Sequence, residues 1–303
     1  MKKVLITGAN GFIGSSLVKK FIANGIEVVA VDVDFRTTNL RPSSQLTIIE
    51  SSVDASLSHL LPPGVYDACY HFAWRGINGK EKENPMIQLD NIQMAMACAD
   101  ICRQLNISKM LCAGTVAENV VYSLPHLDSV NGGMMYGTAK HACHLMLETY
   151  CKHIGVSCVW MQFSNIYGIG NRTGNLVSYT LENILKGKDA TFGPAQQPYD
   201  FIYIDDLIEA AYRLGVSGNA MQDMYFIGSG SPRFLHEYLN HIGQLVGSPE
   251  LIKIGFRDYD GIRYDFSMFD TTSLHRDIGD YVSTPFDDGI RKTIDWIKRT
   301  DGQ

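Results

Sequence analysis

The sequence predicts an α/β protein built on a doubly wound parallel sheet, with a smaller α/β region toward its carboxyl end. Short apolar, β-branched segments alternate with longer segments whose apolar residues recur at helical spacing. Such alternation is typical of parallel strands joined by helices that cover both faces of the sheet. The chain has 303 residues, which at about 150 residues per domain is enough for two domains.

The first 32 residues predict a strand, a helix and a second strand. Residues 4–6 are an apolar run, the apolar residues of 12–22 have helical spacing, and 27–31 are rich in β-branched side chains. Asn24-Gly25 ends the helix. Further strands are predicted at 46–49, 66–72, 109–112 and 156–161, and further helices at 85–105 and 136–153. Pro85 opens its helix at a position that tolerates proline.

The pattern loosens after residue 168. A helix is predicted over 175–186, a strand over 201–204 and a helix from 205, and beyond Gly228 the elements become short. We therefore divide the chain into an N-terminal domain of residues 1–168 and a region of residues 169–303. Segments around 200–215 are expected to return to the first domain, so that the two parts share a cleft.

Composition excludes several classes of function. Hydrophobic residues make up 45% and charged residues 19% of the chain, with a formal net charge of −6, which argues against binding to nucleic acids or anionic membranes. Thr7-Gly8 interrupts the first apolar run, so no signal peptide is predicted, and no apolar run reaches the ~18 residues of a membrane span. We expect a cytoplasmic protein with no nucleic-acid or membrane partner.

The seven cysteines are odd in number and irregular in spacing. We expect buried, reduced thiols. Cys98 and Cys102 share a helix face, but no histidine or carboxylate pattern completes a zinc site, and we predict no metal.

A glycine-rich loop joins the first predicted strand to the first helix: Gly8-Ala9-Asn10-Gly11-Phe12-Ile13-Gly14. In such loops one glycine allows the tight turn, one lets the backbone approach a pyrophosphate, and one allows helix and strand to pack closely. The helix N-terminus offers N–H groups to the phosphates. The loop predicts a Rossmann-type site for NAD(H) or NADP(H), with contacts from Gly8, Asn10, Gly11, Phe12, Ile13 and Gly14.

Asp32 ends the second predicted strand, where an acid can bind both hydroxyls of the adenosine ribose. Its charge would repel a 2′-phosphate, which favours NAD. Arg36 could accept that phosphate instead, so NADP stays open.

Tyr136 and Lys140 are four residues apart in a predicted helix, on one face. A nearby ammonium group stabilises a phenolate, so Tyr136 could exchange a proton with a hydroxyl or ketone while a hydride moves to or from the cofactor. Thr115 follows the strand at 109–112, at the edge where parallel sheets place their sites, and is the candidate to hold the substrate oxygen.

Together these features resemble the extended short-chain dehydrogenase/reductase family of nucleotide-sugar epimerases, dehydratases and ketoreductases, over nearly the whole chain. Further similar segments are His71-Phe72-Ala73, Asn91, Asn165-Ile166-Tyr167-Gly168, the stretch 200–206 and Arg263. The resemblance implies cofactor contacts from Ser52, Val53, Phe72, Ala73, Trp74, Asn91, Tyr136 and Lys140. It implies contacts to a nucleoside-diphosphate sugar from Trp74, Thr115, Asn165, Arg172, Asn175 and Arg263. Trp74 as plain packing is an equal alternative.

Several positions depart from the family pattern. Tyr199 and Gln162 replace arginines, and Ser52 stands where an aspartate often contacts adenine. In the 4,6-dehydratases an Asp and a Glu follow the threonine and act in water elimination. Here Val116 and Ala117 hold those positions and cannot transfer protons, so dehydration is rejected. Glu118 resembles the Thr-x-x-Glu of some sugar ketoreductases, and whether its role is structural stays open.

The leading hypothesis is therefore an NAD(P)-dependent oxidoreductase that acts at C4 of a nucleoside-diphosphate sugar. A 4-ketoreductase is favoured over a 4-epimerase with tightly bound NAD. A non-catalytic dinucleotide-binding regulator is less favoured, because both Tyr136 and Lys140 are present. The resemblance also implies a homodimer through the helices near 85–105 and 136–153.

Overall fold

The computed structural model describes residues 1–171, 173–219, 222–258 and 262–301. The elements of the first half are β1 (Lys3–Thr7), α1 (Phe12–Ala23), β2 (Glu27–Asp32), β3 (Leu46–Glu50), β4 (Ala68–His71), α2 (Pro85–Gln104), β5 (Lys109–Thr115), α3 (Val120–Ser123), α4 (Met134–Ile154) and β6 (Ser157–Phe163). Those of the second half are β7 (Asn165–Tyr167), α5 (Leu176–Leu185), β8 (Ala190–Thr191), β9 (Pro198–Tyr199), β10 (Phe201–Tyr203), α6 (Ile204–Val216), β11 (Met224–Ile227), β12 (Arg233–Phe234), α7 (Leu235–Val246), β13 (Ile252–Lys253), α8 (Thr272–Ile278) and α9 (Phe286–Asp301).

Seven of these strands form one parallel sheet in the order β11-β6-β5-β4-β1-β2-β3. The strand order reverses beside β1, because β1 pairs with β2 on one side and with β4 on the other. Parallel sheets of this kind place their ligand crevice outside the carboxyl ends of the strands at such a reversal. The predicted fold class, a doubly wound Rossmann-type sheet, is confirmed.

Both faces of the sheet are buried at its centre, whereas the edge strand β3 is partly exposed. Along β1, Val4 and Ile6 pack with α1 and α6, whereas Leu5 packs with α2 and α4 on the other face. This double burial explains why the strands appear in the sequence as continuous apolar runs.

The second half of the chain returns to the first in two places. β11 pairs with β6 and completes the main sheet, and the sequence did not predict this strand. α6 packs on α1, where Lys20 pairs with Glu209 at 2.5 Å and the rings of Phe21 and Tyr212 lie 5.2 Å apart. β10, by contrast, pairs with β7 in a separate two-stranded ladder. The domain division at residue 168 stays a prediction.

All seven cysteines are free, and six of them are buried. The Sγ atoms of Cys69, Cys98 and Cys102 lie within 4.8 Å of one another, so a third thiol, and not a histidine or carboxylate, completes the pair on α2. No helix among the described residues combines the length and apolar character needed to cross a membrane.

Candidate active site

A cleft of about 970 Å³ opens at the carboxyl ends of β1, β2, β4 and β5. Its walls come from the glycine loop after β1, the ends of β2 and β3, the loop after β4, the end of β5 and the first turns of α4. Residues 163–166 and 171–176 close the far side, apart from residue 172, which lies outside the described part of the chain. The predicted crevice at the strand reversal is therefore present.

The glycine loop has no room for a side chain at Gly8. Its φ is +68°, and a Cβ there would lie 2.5 Å from the backbone nitrogen of Ala73 and 2.6 Å from the carbonyl carbon of Phe72. α1 begins after Gly11 with no side chain capping its first turn. First-turn N–H groups of a helix that lack a side-chain cap can bind the phosphates of a ligand.

Asp32 lies at the cleft and Arg36 does not. The Asp32 carboxylate accepts hydrogen bonds from the backbone nitrogens of Asn10 (2.9 Å) and Val33 (2.8 Å), which hold it at the end of β2. Arg36 instead forms a two-pronged contact with Asp34, at 3.0 and 2.7 Å, and its side chain is 84% exposed. Asp34 binds the Arg36 guanidinium in this structure, and the role expected of Arg36 toward the cofactor stays a prediction.

The loop after β4 is held by two buried amides of α2. Asn91 donates to the carbonyl of Arg75 and accepts from its backbone nitrogen, both at 2.8 Å. Gln88 accepts from the Trp74 indole at 2.9 Å. Asn91 and Trp74 line the cleft, as do the other residues expected near the cofactor, Ser52, Val53, Phe72 and Ala73.

Thr115 and Tyr136 meet because α4 packs directly on the short helical turn Val116–Asn119. A Cβ at Gly137 would overlap the carbonyl of Ala117, so only glycine permits this approach. Burial raises the pKa of Tyr136, a hydrogen bond with Thr115 lowers it, and the neighbouring Glu118 carboxylate raises it again. The tyrosine therefore needs further positive charge nearby to ionise near neutral pH.

Lys140 supplies one such charge from the next turn of α4. It is 4% exposed, its Nζ donates to the carbonyl of Ala113 at 2.6 Å, and the Trp74 ring centroid lies 3.7 Å from that nitrogen. Burial lowers the pKa of Lys140 to about 8. Trp74 also stands edge-on to Tyr136, with ring centroids 6.2 Å apart, so it contacts both members of the predicted pair.

The segment after Thr115 has no free acid facing the cleft. Val116 is buried against Phe226 and Phe269, and Ala117 lines the cleft. The Glu118 carboxylate is 1% exposed and accepts from the Thr115 backbone nitrogen (2.6 Å) and the Trp160 indole (3.1 Å). Glu118 thus completes a capping box with Thr115 and fixes the backbone that carries it.

Of the residues expected at the substrate, the two asparagines line the cleft and Arg263 does not. Asn165 and Asn175 line the cleft, and their amides donate to the carbonyls of Asp200 (3.1 Å) and Ile166 (2.5 Å). Arg263 is not among the residues that line the cleft; its backbone nitrogen donates to the Ser123 hydroxyl at 2.9 Å. Arg172 lies outside the described residues.

A smaller cavity of about 230 Å³ adjoins the cleft, and Leu176 lines both. Arg257 lies at its wall, donating to the hydroxyls of Tyr179 (2.7 Å) and Thr191 (2.8 Å). Sequence reasoning missed Arg257, since no motif surrounds it. It also missed Lys82, which lines the main cleft from the short helical turn Gly79–Glu83.

Comparison with known proteins matches this geometry. The sequence model of the NAD dependent epimerase/dehydratase family matches residues 4–228. Similar proteins include a UDP-glucose 4-epimerase of Mycolicibacterium smegmatis, 25% identical with 98% of each chain covered. Another is a dTDP-4-dehydro-6-deoxyglucose reductase of Escherichia coli, 23% identical with 97% of each chain covered. The solved UDP-N-acetylglucosamine 4-epimerase from Methanobrevibacter ruminantium, in complex with UDP-N-acetylmuramic acid, superposes with a TM-score of 0.81 at 21% identity over 99% of each chain.

Proposed function

The chain belongs to the NAD dependent epimerase/dehydratase family, and from that premise we propose that it transfers hydride at C4 of a nucleoside-diphosphate sugar, as a 4-ketoreductase. One observation carries the proposal. Thr115, Tyr136 and Lys140 line one end of a cleft whose other end is a phosphate loop, and Val116 and Ala117 provide no acid or base beside them.

The residues present fit the family's cofactor, NAD. The first turn of α1, which begins after Gly11 with no side-chain cap, would meet a diphosphate through its backbone N–H groups. Asp32 would hold the adenosine ribose hydroxyls, with its carboxylate already aligned by two backbone N–H groups. When bound, the nicotinamide supplies the hydride or accepts it.

The chain's own residues handle the proton. Thr115 would hold the C4 oxygen, and Tyr136 would donate its phenolic proton to that oxygen as the ketone becomes an alcohol. The resulting phenolate is stabilised by the Lys140 ammonium, which burial prevents water from screening. A positioned proton donor of this kind contributes about 10²–10⁴ in rate.

Elimination of water is not proposed. It needs an acid and a base that face the sugar, and the two positions after Thr115 are apolar. Glu118 cannot substitute, because both of its oxygens are directed at the Trp160 indole and one also accepts from the Thr115 backbone.

A C4 epimerase is the second candidate. Its support is the similarity to the Mycolicibacterium epimerase over nearly the whole of both chains. It would use the same three side chains but retain NAD and allow the ketosugar to turn in the cleft before the hydride returns. The two functions therefore differ in whether the ketosugar can rotate in the cleft, and they use the same proton-transfer groups.

We further propose that the protein is a homodimer that pairs α2 and α4 with their copies. Exposed apolar side chains are present on both helices: Met86, Leu89, Leu145 and Met146 are each at least half exposed. Burying such residues between copies would remove them from water.

The test uses purified protein and two substrates. With a nucleoside-diphosphate 4-keto-6-deoxyhexose and NADH, the proposed reductase should consume NADH and form the C4 alcohol, identified by NMR. With UDP-glucose and no added NADH, only an epimerase should form the C4 epimer. Tyr136→Phe is the control in both assays and should be slower by about 10²–10⁴-fold. Failure of both substrates across UDP, dTDP and GDP sugars, in protein that binds NAD, would overturn the proposal.

A further inference from the structure

A second lysine, Lys82, lies over the ring of Tyr136. Lys82 belongs to the short helical turn Gly79–Glu83 that precedes α2, and its Nζ lies 5.5 Å from the centroid of the Tyr136 ring. Its side chain is half-buried and lines the same cleft as Thr115 and Tyr136. The ammonium group therefore faces the reacting end of the site.

The turn that carries Lys82 is fixed by Gln88. This amide is 1% exposed and donates to the carbonyl of Gly76 at 2.9 Å and to that of Lys82 at 3.4 Å. Its oxygen accepts from the Trp74 indole, so one side chain holds both the turn of Lys82 and the ring that covers Lys140. The Lys82 stem also lies beside Gly133, at the start of α4.

The charged groups around Tyr136 leave Lys82 without an acidic partner. Lys140 lies one helical turn from Tyr136 on α4. The Glu118 carboxylate acts on Tyr136 from the turn after β5, and Lys82 lies over its ring from the turn before α2. Arg75 and Asp90, which also line the cleft, pair with each other at 3.0 Å. Within the described residues, no carboxylate oxygen lies within 4.0 Å of Lys82 Nζ, and burial lowers the pKa of Lys82.

We propose that Lys82 is a second ammonium group that stabilises the phenolate of Tyr136. A cation beside an aromatic ring is attracted to its electrons, and the attraction grows when the ring carries a full negative charge. The Lys140 ammonium is already engaged by two other groups: it donates to the carbonyl of Ala113 and lies against the ring of Trp74. A second cation would therefore add to its stabilisation of the Tyr136 phenolate. The inference rests on the proposed role of Tyr136 as the proton donor.

The size of the effect follows from the distance. Lys82 Nζ lies 5.5 Å from the centroid of the Tyr136 ring, and two unit charges about 5–6 Å apart, at an effective dielectric constant of about 20–40, change a pKa by about one to two units. Removing Lys82 should therefore raise the pKa of Tyr136 by that amount, whereas a group that only shapes the cleft would leave it unchanged.

The test titrates Tyr136 directly. Tyrosinate absorbance is followed against pH in the NAD⁺-bound protein, and the Tyr136→Phe titration is subtracted to isolate the one residue. Lys82→Met and Lys82→Gln should raise its apparent pKa by about one to two units, and Lys82→Arg should restore most of the shift. The matched control is Lys80→Met, an exposed lysine of the same turn that does not line the cleft, which should change nothing.

Two outcomes overturn the inference. The first is an unchanged Tyr136 titration in both neutral variants. The second is a rise in KM for the sugar nucleotide with an unchanged pH profile of kcat, which would make Lys82 a ligand for an anionic group of the substrate. The titration uses NAD⁺ and no sugar, so it measures the effect of Lys82 on Tyr136 even if the proposed reaction does not occur. Failure of the Lys82 inference can therefore be distinguished from failure of the proposed function.

Discussion

Glu118 is predicted to be the main support of Thr115, the proposed holder of the substrate oxygen, and its removal should cost both stability and turnover. The carboxylate is 1% exposed and accepts from the Thr115 backbone at 2.6 Å and from the Trp160 indole at 3.1 Å. His144 stacks on that indole, with its Nδ1 3.7 Å from a Glu118 oxygen. Glu118→Ala would leave two buried N–H groups without an acceptor and a cavity beside them.

The magnitude follows from these contacts. A hydrogen bond to a charged acceptor contributes about 1.5–3 kcal/mol, and two are lost together with packing, so Glu118→Ala should lower the free energy of unfolding by about 3–5 kcal/mol. Glu118→Gln keeps one acceptor oxygen and should cost about 1–3 kcal/mol. Turnover should fall in both variants because the turn that holds Thr115 loosens, while NAD binding at the distant glycine loop should persist.

Urea unfolding measures this difference. The matched control is Glu148→Gln on α4, a carboxylate that is 38% exposed and pairs with Lys152 at the surface; its loss should cost less than about 1 kcal/mol. If Glu118→Ala loses no more stability than Glu148→Gln, the account of Thr115 support is wrong.

Three further predictions concern the cofactor, the pH dependence and the assembly. Asp32→Asn should weaken NAD binding about tenfold and raise the affinity for NADP, since the charge that repels a 2′-phosphate is gone; titration calorimetry measures both, and an unaltered preference would count against Asp32. Reductive turnover should decline above pH about 8, because the pKa of Lys140 is lowered to about 8 and its ammonium is present below that pH and lost above it; a profile of kcat that stays flat to pH about 9.5 would contradict this. Leu89→Asp combined with Leu145→Asp should yield a monomer by light scattering, while an unchanged oligomeric mass, or a monomeric unmodified protein, would refute pairing through α2 and α4.

Much of the fold could be predicted because its signals are local. The alternation of apolar runs and helical spacing indicated β1 through β6, and the glycine loop indicated where β1 meets α1. β11 escaped prediction because Met224–Ile227 is a four-residue strand, and what makes it part of the sheet is pairing with β6, about 64 residues earlier in the chain.

The site was predictable where a motif covers it and not where tertiary contacts build it. Tyr136 and Lys140 are one helical turn apart, so their shared face follows from spacing. Arg36 lies four residues after Asp32, a spacing that suggested a contact with a 2′-phosphate. In the structure its guanidinium instead binds the nearer carboxylate of Asp34. Lys82 and Gln88 carry no pattern that relates them to Tyr136, because only the packing of α2 against α4 brings the turn before α2 to the tyrosine.

The most direct test of the central claim is a single-turnover experiment with stereospecifically deuterated NADH and a nucleoside-diphosphate 4-keto-6-deoxyhexose. The proposed chemistry predicts deuterium at C4 of the product in the unaltered protein, and a rate of transfer about 10²–10⁴-fold lower in Tyr136→Phe saturated with cofactor. Deuterium at another carbon, or transfer by Tyr136→Phe at the rate of the unaltered protein, would contradict the assignment of this cleft to hydride transfer at C4 with Tyr136 as the proton donor.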